Sequence, residues 1–166
     1  MSGAKNVIDM RPSKGFSPSQ GNEHLRRLDD CERAQKARWN YDPSREHLNF
    51  EVGKGGVVTE VNKFKTINQR IQEYLDSRGI VNPNKKYIDQ GLDPKYRTVV
   101  NFILGGNREV MRNLAFGNQK VDWEHGADNS DLKIMPEIES WAKDAYAFMC
   151  KKFGEQNIAA FVVHLD

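Results

Sequence analysis

The residues of this sequence best suited to chemistry are histidines, because neutral imidazole serves both as a nucleophile and as a metal ligand. His164 and Asp166 close the apolar run 156–166 (QNIAAFVVHLD), which predicts a buried strand that carries an imidazole and a carboxylate to its carboxyl end. His24 lies beside Arg26 and Arg27, and a guanidinium can hold a phosphate close to an imidazole nitrogen. The plainer interpretations are a solvated polar helix around His24 and a structural or surface role for His164.

A second group of hydrogen-bonding side chains lies in the segment 42–52, DPSREHLNFEV. Arg45, His47 and Asn49 alternate there with Leu48 and Phe50. Alternation of this kind predicts an extended segment with three polar groups on one face. A site that lies against a nucleic acid and an edge strand with a wet face both fit the pattern.

Basic residues are concentrated in the first quarter of the chain: Arg11, Lys14, Arg26, Arg27, Arg33, Lys36, Arg38 and Arg45. Acidic residues are interspersed among them, so the basic patch is diluted. Trp39 and Tyr41 next to it could stack on single-stranded bases, although core packing explains Trp39 equally well. The acidic loop 122–131 fits no metal-ligand spacing and is interpreted as solvated.

Bulk composition describes one soluble domain of 166 residues, with 38% hydrophobic residues and a net charge of +2. That net charge neither demands nor excludes nucleic acid. Cys31 and Cys150 are too far apart in sequence for a disulfide scaffold or zinc motif, which favours a reducing compartment. The N-terminus has no apolar signal region, and no run approaches the roughly 20 apolar residues of a membrane span. We therefore expect a cytoplasmic protein with no membrane partner.

Hydrophobic periodicity predicts alternating strands and helices of an α/β or α+β fold, in which helices pack on a sheet. The predicted elements begin with a strand at 7–10, a charged helix at 20–38, a turn and a short extended run at 39–52, and a helix at 60–78 that Thr59 caps and whose buried face includes Phe64. A polar loop at 81–94, a strand at 96–104, a helix at 108–116 capped by Asn107 and a loop at 117–134 follow. The last helix begins at Pro136 and ends at Gly154, it precedes the final strand, and its expected buried stripe is Ile138, Trp141, Ala145, Phe148 and Met149.

Three of these stretches together resemble the N-terminal part of plasmid mobilisation relaxases of the Mob/Pre (MobV) type. Residues 42–52 are similar to the family's second motif, Arg-x-His-Leu-Asn-aromatic, and His24-Leu25-Arg26-Arg27 lies where the first motif places a histidine followed by arginine. Residues 153–166 are similar to the approach to the third motif, His-x-Asp-Glu-x-x-Pro-His-x-His. The likeness spans nearly the whole chain in the same order.

The resemblance implies a relaxase-type (HUH-like) antiparallel sheet packed by helices and an enzyme that nicks and rejoins single-stranded or hairpin transfer-origin DNA. His24 would be the nucleophile that forms a covalent link to a 5′ phosphate, with Tyr41 as the alternative. Arg26 or Arg27 would orient the phosphate, and His164, with Asp166 nearby, would begin a site for Mn²⁺ or Mg²⁺. Arg11, Lys14, Arg45, His47 and Asn49 would lie near the DNA.

The family's third motif continues beyond the residue that corresponds to Asp166. We therefore expect residues 1–166 to be the N-terminal portion of one relaxase domain, with a sheet incomplete at its C-terminal end. Such a chain alone would lack nicking activity, because its metal motif is incomplete. Its open sheet edge would leave His164 and Asp166 exposed, or covered by a second copy in a homodimer. A non-enzymatic DNA-binding or accessory protein with the same fold is the alternative.

Overall fold

Two antiparallel sheets and several helices make up the described part of the chain. The structure is a computed structural model that describes residues 7–38 and 41–166. In the first sheet, β1 (Val7–Ser13) pairs with β4 (Val99–Gly105). In the second, β2 (Phe50–Gly53) lies between β3 (Val57–Glu60) and β5 (Val162–Val163). The predicted combination of helices with antiparallel strands is therefore confirmed at this level.

The helices of the described residues are α1 (Pro18–His24), α2 (Asp30–Lys36), α3 (Ile67–Ser77), α4 (Lys85–Asp89), α5 (Arg108–Phe116) and α6 (Pro136–Phe153). Short 3₁₀ helices occupy Pro43–Leu48, Lys54–Gly56 and Glu155–Asn157. None of the helices in the described part of the chain has the length and apolar character needed to cross a membrane.

The core lies between the long helix α6 and the three-stranded sheet. Ile138, Ala142 and Tyr146 of α6 are buried in one cluster with Phe50 of β2 and Val163 of β5. Burial of apolar surface is the main favourable contribution to folding, so this cluster holds the C-terminal segment against β2. The segment that follows β5 is consequently fixed in position, and it carries His164.

The elements predicted most accurately are the helices whose ends carry residues typical of helix termini. Helix α5 begins after Asn107, whose side chain accepts hydrogen bonds from the next turn, and α6 begins at Pro136 and ends at Gly154, as predicted. The predicted buried stripe of α6 holds for Ile138 and Met149 but is wrong for Phe148, which is exposed.

Several predicted boundaries are wrong, and each has a local physical reason. The helix expected at 20–38 is divided into α1 and α2, because Arg26 adopts a positive φ of 52° between them. The helix expected at 60–78 begins only at Ile67, since Thr66 forms a capping box with Gln69 while Val57–Glu60 pairs with β2. Phe64, expected on a buried helix face, is almost fully exposed.

Three further expectations about the strands and loops are corrected. Pro43–Leu48 forms a 3₁₀ helix, so Arg45 and His47 do not share an extended face with Asn49. The strand expected at 156–166 is confined to Val162–Val163, and the predicted loop that follows α3 contains α4. The first strand continues through Arg11-Pro12 to Ser13 because its pairing with β4 extends over all seven residues.

Candidate functional site

The structure brings His24 and His164 together although 139 residues separate them in the chain. Their ring centroids lie 6.3 Å apart, with an angle of 35° between the ring planes. Both histidines line a cleft of about 950 Å³. Strand β4 and residues 157–166 form walls of this cleft, so strands of both sheets border the same space. The two imidazoles therefore share one concave site that a ligand can enter.

Helix α1 positions His24 at its last residue. Its start is fixed by a capping box between Ser17 and Gln20. Gly21 lies against Ile67 of α3, where even an added Cβ would meet the Ile67 side chain at 3.5 Å. The ring of Phe16 packs on that of His24 at a centroid distance of 5.4 Å. Close packing of α1 on α3 thus sets the direction of the His24 side chain.

Asp166 connects the segment of His24 to that of His164. Its carboxylate accepts two hydrogen bonds from the Arg26 guanidinium, at 2.6 and 2.7 Å, and a third from the Asn49 amide at 2.7 Å. The side-chain oxygen of Asn49, Oδ1, in turn accepts a hydrogen bond from the backbone N–H of Leu165 at 2.7 Å. The Asp166 side chain is fully buried and that of Arg26 is 14% exposed. A bidentate pair of this kind is geometrically restrictive, so it fixes His164 relative to His24.

The expectation that Asp166 would be exposed or covered by another copy is wrong. Its side chain is fully buried within this chain, where Arg26 and Asn49 donate hydrogen bonds to its two carboxylate oxygens. His164 is only partly accessible, with 28% of its side chain exposed. Arg26 adopts a left-handed backbone conformation, with a φ of 52°, and its guanidinium reaches the Asp166 side-chain carboxylate.

Burial favours the neutral form of both imidazoles of the site. Burial, reinforced by the nearby Arg26 charge, lowers the pKa of His164 to about 4. Burial also lowers the pKa of His24; Glu23 opposes this shift and Arg26 reinforces it. A neutral imidazole has a free lone pair. Each ring can therefore act as a nucleophile or a ligand without first losing a proton.

Tyr41, the alternative nucleophile, is locked in a separate cluster. It is buried, and its hydroxyl donates to the Glu46 carboxylate, which also accepts from Arg33 and Lys63. Burial and the hydrogen bond to Glu46 raise the pKa of Tyr41. A hydroxyl that is harder to ionise and already donated to a carboxylate is a poorer nucleophile, and Tyr41 does not line the cleft.

The remaining predicted residues have varied positions. Arg27 donates weakly to Asn22 at 3.4 Å, and Arg11 is exposed on β1 in a pair with Asp9. Lys14 is exposed just after β1. The His47 ring nitrogen Nε2 lies 3.0 Å from the carbonyl oxygen of Leu132, away from the surface of the cleft. Of the five residues expected near DNA, only Arg45 lines the cleft.

Trp39, a candidate for base stacking, lies outside the described residues.

Among the described residues, the donor set around His164 offers a metal one atom without a hydrogen-bond partner. His164 Nδ1 is buried and has no hydrogen-bond partner among the described residues, which suits a ligand atom. Asp166 Oδ1 lies 3.9 Å from this nitrogen, but both its carboxylate oxygens already accept from Arg26 or Asn49. No group of three or more histidine, cysteine or acidic side chains that could hold a metal occurs within residues 7–38 and 41–166. His164 therefore fits the role of a single ligand.

Sequence reasoning missed the residues that connect these parts. The pairing of Asp166 with Arg26 and the placement of Asn101 Nδ2 at 3.4 Å from His24 Nε2 arise from tertiary contacts and leave no local pattern. Trp123 and Arg112, which also line the cleft, gave no signal beyond their residue types. Only Arg26, two residues after His24, could have suggested a partner for the Asp166 side-chain carboxylate.

Comparisons with protein-family models, with curated proteins and with solved structures give no match to this chain.

Proposed function

We propose that this chain is the N-terminal portion of a relaxase domain that nicks and rejoins DNA by transesterification. The observation that carries the proposal is the pairing of His24 with His164 in one cleft, where burial lowers the pKa of both imidazoles. These are the two histidines that the family resemblance selects as nucleophile and first metal ligand. Their proximity in the fold is independent of the residue likeness that suggested them.

His24 attacks the scissile phosphorus through a ring nitrogen. The N–P bond forms as the bond from phosphorus to the 3′ oxygen breaks, and the imidazole N–H proton is lost as the 3′ oxygen leaves as a hydroxyl. The product is a phosphoramidate link between the chain and a DNA 5′ end. Attack by the free 3′ hydroxyl reverses the step, so rejoining requires no other energy source.

Arg26 has a positioning role in this proposal, in place of the phosphate contact that the resemblance suggested. Its guanidinium is committed to Asp166 at both carboxylate oxygens. His164 would hold the divalent cation, Mn²⁺ or Mg²⁺. When bound, the cation neutralises negative charge on the scissile phosphate. His164 Nδ1, buried and without a partner among the described residues, is the atom of this chain that suits that contact.

The test is formation and acid lability of a covalent adduct. The full product of the gene is incubated with Mn²⁺ and labelled single-stranded oligonucleotides tiled over the DNA that adjoins its gene. We expect a labelled protein band that His24→Ala abolishes, that Tyr41→Phe retains and that brief acid treatment removes, since phosphohistidine is acid-labile. An acid-stable adduct that disappears in Tyr41→Phe would refute the assignment of His24.

A non-enzymatic DNA-binding or accessory protein is the second candidate. The commitment of the Asp166 carboxylate to Arg26 and Asn49 favours it, because this carboxylate is then not offered to a metal. Metal-independent binding of the oligonucleotides, with no adduct and no cleavage at any Mn²⁺ concentration, would support it over the enzyme.

A homodimer through the sheet edge is a further part of the proposal. β5 lies at the edge of the three-stranded sheet, where its outer backbone groups can pair with another strand. Light scattering over a range of protein concentrations tests it, and a constant monomer mass would count against it.

A further inference from the structure

A cationic site, separate from the two histidines, lies on the same cleft around the indole of Trp123. The Arg112 guanidinium lies 3.9 Å from the centroid of the Trp123 ring, and that of Arg45 lies 4.8 Å from it. Phe116 supports the indole from its edge, with ring centroids 5.6 Å apart. Trp123 is half exposed, and Arg45, Arg112 and Trp123 all line the cleft. Two like charges are thus gathered on one aromatic ring at an accessible surface.

Arg45 is the residue of this group whose environment requires an explanation. Its side chain is 10% exposed, yet its Nε and Nη1 have no hydrogen-bond partner among the described residues. Asp42 Oδ2 lies 3.4 Å from Nε but outside hydrogen-bonding geometry. The Asp42 carboxylate already accepts from Ser44 and Asn129. Buried N–H donors of a charged group that lack an acceptor are destabilising, so the site favours an added anionic acceptor.

The charge of the cleft indicates the same class of ligand. Its basic lining residues are Arg45, Arg78, Arg108 and Arg112, whereas Asp166 is the only acidic residue among the described lining residues and is paired with Arg26. Arg108 lies one turn before Arg112 on α5. Neither forms an ion pair within the described part of the chain. The potential in the cleft therefore favours an anion.

We propose that Arg45 and Arg112, held by Trp123, bind the sugar–phosphate backbone of a single-stranded nucleic acid that runs along this cleft. Guanidinium groups match phosphate oxygens in a bidentate geometry, and the backbone of a single strand offers repeated phosphates to a positively charged groove. The choice of a nucleic acid, rather than another anion, rests on the proposed function. The cationic site itself rests on the geometry alone.

The test is salt-dependent binding of a fluorescent oligothymidylate to the chain, measured by anisotropy with EDTA present. Arg112→Gln removes one phosphate contact from a partly exposed position and leaves Arg45 in place. We expect about tenfold weaker binding at low salt. The slope of log K against log salt should also fall in magnitude by about 0.7, the value for one phosphate contact to a single strand.

Arg97→Gln is the matched control, since it makes the same substitution at an exposed arginine that does not line the cleft. Its affinity and slope should equal those of the unaltered chain. Arg45→Lys keeps the buried charge but removes the planar fork, and it should also weaken binding. A circular dichroism spectrum and melting curve for each variant separate loss of binding from loss of fold.

Three results would overturn the inference: equal affinities of Arg112→Gln and the unaltered chain, no oligothymidylate binding by the unaltered chain, or an effect of Arg112→Gln on inorganic phosphate binding without any effect on the oligonucleotide. The assay requires neither metal nor cleavage. Failure of the adduct test with intact, Arg112-dependent binding therefore refutes the nicking proposal alone.

Discussion

Asp166→Asn is the substitution that best tests how the candidate site is held together. It removes the charge of a fully buried carboxylate but keeps its shape, so Arg26 is left as a charge that is 14% exposed and has no anionic partner at this position. Removing one partner of a buried ion pair costs about 3–5 kcal/mol. Because the new amide can still accept one hydrogen bond from Arg26, we expect a loss of about 3 kcal/mol in the free energy of unfolding.

The assay is urea denaturation followed by circular dichroism. With a slope of about 2 kcal/mol/M, a loss of 3 kcal/mol lowers the midpoint by about 1.5 M. Asp9→Asn is a matched control, because the Asp9–Arg11 pair has the same 2.7 Å separation as one bond of the buried pair but side chains that are 43% and 69% exposed. Exposed pairs contribute about 0–1 kcal/mol, so this control should change the midpoint little.

A double-mutant cycle with Arg26→Gln isolates the pair itself. We expect the double variant to be more stable than the sum of the two single losses implies, by at least about 1 kcal/mol. Equal midpoints for Asp166→Asn and Asp9→Asn, or strictly additive losses, would refute the conclusion that this pair fixes the C-terminal segment beside His24.

The remaining predictions concern residues outside this pair. Burial acts to raise the pKa of Glu46, but hydrogen bonds to its carboxylate outweigh burial and lower it from 4.5. Its stabilisation is thus present above pH 4.5 and lost as pH falls through the lowered value, so Glu46→Gln should flatten the acid side of a stability–pH profile. Tyr41→Phe should cost about 1 kcal/mol in urea denaturation yet leave adduct formation intact; loss of the adduct would contradict the assignment of His24. Phe64→Ser should change stability by less than about 0.5 kcal/mol, whereas Phe50→Ala should cost about 3–5 kcal/mol; equal costs would refute the burial described for these two residues.

The two proposals use different parts of one cleft. The histidine pair would perform the covalent step. The arginines around Trp123 would bind phosphates of the same strand other than the reacting one. Strand β4 forms a wall of the same cleft, and Phe102 of β4 packs against Phe153 at a ring-centroid distance of 5.0 Å. An extended single strand that contacts both parts would pass between β4 and the segment that carries His164.

Local signals in the sequence were sufficient for the C-terminal helices. Asn107, Pro136 and Gly154 set the ends of α5 and α6 through interactions within one helical turn, so no knowledge of the fold was needed. The same reasoning placed the start of α3 too early. The competing pairing of Val57–Glu60 with β2 is a tertiary contact that the apolar periodicity of residues 60–78 does not reveal.

Residue types alone were enough to predict which side chains have the chemistry for a site: His24, His164 and the arginines near them. Tertiary structure alone decided that the two imidazoles meet, that Asp166 is buried against Arg26, and that Arg45 joins Arg112 on one indole. The reason is that residue type is fixed locally, whereas the burial of a charge and the direction of a side chain depend on elements distant in the chain. His24 and His164 were candidates separately; the left-handed turn at Arg26 and the buried carboxylate make them one site.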